Sequence, residues 1–333
     1  MMQNEYNQKD SAISFMLALF LPNILAIFFI IILSFFIKPT ELENSMAYKI
    51  VATLISQISF LIIYLAITKH KKMTFKSIKH KSLNFKQIII LLLISFCCLF
   101  LISPIINVYD SFLLTLGIKQ QTLPLDISNP LNFVYLLFAM GIFAPITEEL
   151  LFRGLILDGL KEKGETKAVL VSSLMFMLMH LSLHQTIYQF ILGIIMAFIV
   201  IYTQSIFASI FVHFVNNSVV LIINYINPLL FDYKYLSLNY IILAVTLLLF
   251  GLFMIFYLLK WLKSASCKSH KTETINAKQS NLYKQNESKN ISFENQNEIK
   301  TWQKNNGLKK INWLLISLVC GVLLWVLNVI FQF

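Results

Sequence analysis

Glu148 and Glu149, followed by Arg153, are the side chains in this sequence best placed to do acid–base chemistry. They lie in a run that carries no other charge from Leu131 to Leu157. At bilayer depth an ionisable side chain costs about 2.5–3.5 kcal/mol on insertion scales, so it marks a functional site by default and needs a partner. Glu149 and Arg153 stand at i, i+4 on one helix face and read as an ion pair that joins helices. Glu148 points about 100° away around the helix and is left free to take or give a proton.

Partners for that proton are few. Between Ala168 and Phe231 there is no Lys, Arg, Asp or Glu, and the titratable groups of interest are His180, His184 and His213. His180 closes the string Phe176-Met177-Leu178-Met179-His180, and His213 opens His213-Phe214-Val215-Asn216-Asn217. His213 and Asn217, four apart, project from one helical face. His184 reads as a packing residue bonded to a carbonyl. Phe176 reads either as a wall of the site or as plain core. Gly193 and Ala197 form a small-xxx-small face suited to close helix packing. On a ruler of 1.5 Å per residue, Glu148, His213 and Asn217 reach similar depths from one membrane face. His180 comes out deeper, near 20 Å on the same ruler.

Helices must carry these groups. The chain has 333 residues, 57% hydrophobic and only 13% charged, with a mean hydropathy of +0.72. A globular chain averages about 25% charged residues, so a soluble domain is excluded. The apolar runs are near 20 residues, which suits transmembrane helices and not the shorter alternating strands of a barrel. The expected fold is an all-α polytopic transmembrane bundle of about eight core spans plus a C-terminal accessory span. The expected spans are 12–37, 46–68, 87–108, 131–157, 168–183, 186–203, 205–226, 235–260 and 311–332. Residues 1–263 form the bundle, 264–310 a polar, disordered cytoplasmic linker with nine lysines and four glutamates, and 311–333 the last helix. Pro145 removes a backbone donor, so a kink or local widening is expected just before the carboxylates.

Lysine placement orients the bundle. The loop 69–86 holds seven lysines and no acid, whereas 38–45, 109–130 and 227–234 hold one lysine each. The positive-inside rule then puts the N-terminus in the cytoplasm and the C-terminus outside, in a multi-pass cell-membrane protein. The net charge of +11 comes from such anchors, which face anionic lipid. No basic stripe with interleaved aromatics accompanies it, so nucleic acid is not a partner. The four cysteines show neither metal spacing nor a disulfide framework.

Three motifs occur in order, each on its own apolar segment: Glu148-Glu149-Leu150-Leu151-Phe152-Arg153 fits EExxxR, Phe176 to His180 fits FxxxH, and His213 to Asn217 fits HxxxN. Together they resemble the CPBP (or ABI) family of intramembrane proteases, which includes CAAX prenyl endopeptidases and bacteriocin-processing or immunity proteins. The resemblance covers about residues 130–226. It implies that Glu148 and His180 activate water, that His213 and Asn217 stabilise the oxyanion, and that Glu149, Arg153 and Phe176 support them. The implied partners are a peptide or membrane-protein substrate and the lipid bilayer. The family is often labelled metalloprotease, and Glu148, His180 and His213 would then be the ligands of a zinc ion. The sequence has no HExxH, so a metal-independent glutamate mechanism is favoured and no cofactor is required. Bacteriocin self-immunity, or peptide binding without hydrolysis in the same cavity, is the alternative. A proton-relay transporter is a third reading, but the inverted repeats it calls for are not found.

Overall fold

The computed structural model describes residues 6–42, 44–73, 81–119, 123, 125–226, 237–284 and 312–330. Among them it is all helix, in nine principal segments. These are α1 (Gln8–Ser34), α2 (Met46–His70), α3 (Phe85–Thr115), α4 (Pro130–Leu160), α5 (Glu165–Met179), α6 (Thr186–Thr203), α7 (Ile206–Ile226), α8 (Leu238–Lys284) and α9 (Trp313–Ile330).

Eight of the nine are long and apolar enough to cross a membrane. The exception is α5, where the sequence predicts a span over 168–183. Its 15 residues reach only about 22 Å, short of the roughly 30 Å hydrocarbon core. The helix stops because Leu181 turns left-handed, at φ +47°, just past His180. The bundle therefore has seven core spans of full length plus the last helix, with α5 entering the interior and ending inside it. At its other end, α8 runs past the expected boundary near Lys263 as far as Lys284. The rest of the expected linker, 285–310, lies outside the described residues.

Local chemistry fixes where the helices begin. Asn7 caps α1, with Asp10 returning a bond to the Asn7 amide. Asn84 and Gln87 repeat that reciprocal box on α3, and Asn129 caps α4 ahead of Pro130 at its first position. Gly164, at φ +103°, takes the chain from α4 into α5 in a conformation closed to other residues.

The α4 helix is the centre of the bundle. It is not a regular α-helix: it widens to π geometry over Leu137–Phe143 and again over Phe152–Ile156, on both sides of the segment Ala144–Leu151 that holds the carboxylates. The widening ahead of Pro145 is the local distortion expected there, and single π turns of this kind recur at functional sites. Leu151, Phe152, Leu155 and Ile156 are wholly buried. α2 covers the carboxylate turn, α7 lies along the first π segment, and α5 and α6 pair closely. In that pair a β-carbon on Gly193 would stand 3.1 Å from Ser173 Cβ, and Ala197 is wholly buried, so the small face packs as its spacing suggests.

One end of the bundle is tied by polar contacts. Lys71 pairs with Asp10 at 2.8 Å, and Ser11 Oγ donates to the Ile156 carbonyl at 3.1 Å. Ser205 Oγ donates to the Lys81 carbonyl at 2.6 Å, and Lys9 sits over the Trp313 ring. The N-terminal end of α1, the end of α4, the α6–α7 turn and the start of α9 thus share the side of the lysine-rich loop.

Candidate active site

The EExxxR string delivers both carboxylates and the guanidinium into the protein interior. Glu149 and Arg153 are 0% and 2% exposed, and Glu148 is 7% exposed. Arg153 Nη1 donates to Glu149 Oε1 at 2.9 Å, so the i, i+4 pair forms despite the π turn that begins at Phe152. The same guanidinium donates to the Gly193 carbonyl at 3.4 Å and lies 4.1 Å from the centroid of the Phe176 ring. Arg153 therefore joins α4 to both α5 and α6, as expected of a helix-joining ion pair.

His213 brings the two glutamates together. Its Nδ1–H donates to Glu149 Oε1 at 3.1 Å, and its Nε2 stands 3.9 Å from Glu148 Oε2. Glu149 Oε1 accepts from both a guanidinium and an imidazole, which offsets much of the cost of burying the charge, while its Oε2 has no hydrogen-bond partner. Glu148 Oε2 is buried and makes no hydrogen bond to protein. One carboxylate is tied and the other is free, the division that the helical angle between them implies.

His180 approaches from α5. Its Nδ1–H donates to the Phe176 carbonyl at 2.8 Å, one of the last carbonyls of that helix. The ring also sits edge-on to Phe176, with centroids 4.9 Å apart. His213 also packs against Phe176, with centroids 5.9 Å apart and the rings nearly perpendicular. Phe176 is wholly buried: it touches Arg153, His180 and His213 on the cluster side and also packs edge-on to Phe152 in the hydrophobic core.

Asn217 shares its helix face with His213 and points to the same span. Its Nδ2 donates to the Met140 carbonyl at 2.9 Å. In a π turn the carbonyl of residue i bonds the amide of residue i+5, and for Met140 that residue is Pro145, which has no N–H. Asn217 supplies the missing donor, leaving one amide hydrogen and its oxygen. On the preceding residue, Asn216, the oxygen accepts from Tyr188 at 2.6 Å and the amide donates to the Val212 carbonyl.

No group of three His, Cys, Asp or Glu side chains able to hold a metal ion occurs among the described residues.

Residues 130–219 match the family described as type II CAAX prenyl endopeptidase, Rce1-like. That segment contains all three motifs and every contact just described within α4 to α7. Over that segment the chain is similar to the CPBP/CAAX protease family. No curated protein and no solved structure matches the chain. The family is one of CAAX-type endopeptidases, and eight apolar helices make this a multi-pass membrane protein.

Some polar contacts escape sequence reasoning. His184 does not bond a carbonyl: its Nδ1–H donates to Asp110 Oδ1 at 2.9 Å, and both side chains are buried. Tyr188 meets Asn216, and Asn328 from α9 donates to the Leu181 carbonyl. The signal for Asp110 was an acid inside an apolar run, obscured by its position where the third span was expected to have ended.

Proposed function

We propose that this protein is an intramembrane endopeptidase that hydrolyses a peptide bond of a peptide or membrane-associated protein. Glu148 takes a proton from a water molecule held between its carboxylate and His180, and the water oxygen attacks the scissile carbonyl carbon. His213 Nε2, when protonated, and the spare amide hydrogen of Asn217 face the developing oxyanion. Glu148 then passes its proton to the leaving nitrogen as the C–N bond breaks, which restores the carboxylate. Glu149 holds the His213 ring through Nδ1, and Arg153 holds Glu149.

The observation that carries this reading is the 3.9 Å gap between Glu148 Oε2 and His213 Nε2 inside a buried cluster. That gap sets the general base beside the imidazole that faces the oxyanion, so proton abstraction and charge stabilisation can act on one carbonyl. The reading is supported by the family that residues 130–219 match. The substrate class in the family description, a prenylated CAAX peptide, is the natural first probe. Lysine placement supports a cytoplasmic N-terminus and a C-terminus across the membrane, and Asn328 near Leu181 at the far end of α9 agrees with that sense of traverse.

The test is cleavage of an internally quenched farnesylated CAAX peptide by purified full-length protein and its Glu148→Gln form. Loss of about 10²–10⁴ in rate with unchanged folding is expected for removal of a general base. Full activity in Glu148→Gln would sink the mechanism. A Glu148→Ala protein that still performs its cellular task would instead favour binding without hydrolysis.

A further inference from the structure

The five residues 181–185 between α5 and α6 are held from several directions, and they begin where His180 ends. The Leu181 carbonyl accepts from Asn328 of α9. The Ser182 carbonyl accepts from Thr186 Oγ1 at 2.9 Å, and the Leu183 carbonyl from the Tyr109 hydroxyl of α3 at 3.1 Å. His184 is tethered by its ring to Asp110, also on α3. Three successive carbonyls and one side chain are thus claimed by three different helices. Irregular backbone inside a membrane protein must be satisfied internally, which accounts for the carbonyls. The Asp110–His184 bond adds a side-chain tether from α3 to the same loop.

The strain in the loop points the same way. Leu181 is a bulky residue at φ +47°, a strained conformation that persists only where the surroundings over-determine it. That left-handed turn ends α5 at Met179 and exposes the Phe176 carbonyl to the His180 ring. Rotation at Leu181 would let α5 continue and swing His180 with it. The last helix is also packed against the same region: a β-carbon on Gly321 would lie 3.0 Å from Phe15 and 3.3 Å from Leu178, two residues before His180.

We propose that Asp110, acting through His184, and Asn328, on the C-terminal helix, are positioning residues that set the orientation of His180. The C-terminal helix is then part of the working unit and not a detachable anchor. This rests on the proteolytic reading above, in which His180 helps to activate water.

The experiment uses the full-length protein labelled with ¹⁵N-histidine, with the His180 ring signals assigned through His180→Gln. Asp110→Leu and Asn328→Leu are compared with Asp110→Asn, which keeps an acceptor for His184. The expected result is that both leucine variants shift the His180 ring nitrogens and lower kcat on the farnesylated peptide by about ten- to a hundred-fold, with KM within about two-fold. Asp110→Asn restores both readouts. If a leucine variant does not fold, Asn328→Ala is read by the same ring signals. Unmoved His180 signals in folded Asp110→Leu or Asn328→Leu protein, or a kcat that falls only in step with the folded fraction, would overturn the proposal. If the wild type fails to cleave the peptide while the ring signals still move, the proteolytic reading fails and the positioning of His180 stands.

Discussion

Breaking the Glu149–Arg153 pair from one side should destabilise the fold far more than breaking it from both. Arg153→Met keeps the long stem over Phe176 but leaves Glu149, with no solvent exposure, holding its charge against His213 alone. Stranding one member of a buried pair costs about 3–5 kcal/mol. Glu149→Gln strands Arg153 in the same way, relieved in part by its bond to the Gly193 carbonyl. Its side-chain oxygen can still accept from His213. In the double variant neither charge remains, and a neutral pair of similar volume costs little. The cycle should therefore show a coupling of about 2–4 kcal/mol, smaller than the full single cost because His213 and Gly193 compensate each survivor. The assay is reversible denaturant unfolding in one detergent, followed by circular dichroism, on wild type, both single variants and the double variant. A coupling within about 0.5 kcal/mol of zero would mean that the two charges act independently. The ion pair would then not be the strut between α4 and its neighbours, and the geometry would have been misread.

Further expectations follow from single contacts. Asn217→Ala should cost about 1–3 kcal/mol by leaving the Met140 carbonyl unpaired; Pro145→Ala in that background should recover part of the loss by supplying an N–H, as thermal unfolding would record. No recovery would mean that Asn217 does not replace the proline donor. Gly193→Ala should destabilise by about 1–3 kcal/mol, because the new methyl stands 3.2 Å from the Ser173 Cα, where backbone must yield; an unchanged melting midpoint would contradict the packing. His213→Gln should lower kcat by at least about 10²-fold with little change in KM, since the ring contacts both glutamates. A change in KM alone would move His213 from chemistry to binding.

Much of this protein is legible without coordinates. Apolar runs of membrane length leave the backbone no choice but helices, because nothing in lipid can satisfy an open N–H or C=O. Glu149 and Arg153 are four apart on one helix, so their pairing is a local fact that survives a π turn. His213 and Asn217 share a face for the same reason. Pro145 announces a defect ahead of the carboxylates because it lacks a donor wherever it stands. These features depend on contacts within a turn or two of helix, and sequence encodes them directly.

What the sequence could not decide is which distant groups meet. Asn217 donates to the Met140 carbonyl, and only the π register of α4 makes that carbonyl the one in need of a donor. The length of α5 was overestimated because an apolar run continues through Leu181 and Leu183, whereas the helix ends where tertiary contacts hold Leu181 left-handed. Asp110 and His184 are 74 residues apart, and no spacing rule links them. Composition and periodicity settled that charged side chains would be carried into the bilayer on helices. Folding alone chose their partners, since a pairwise hydrogen bond acts over about 3 Å and is blind to the length of chain between its ends.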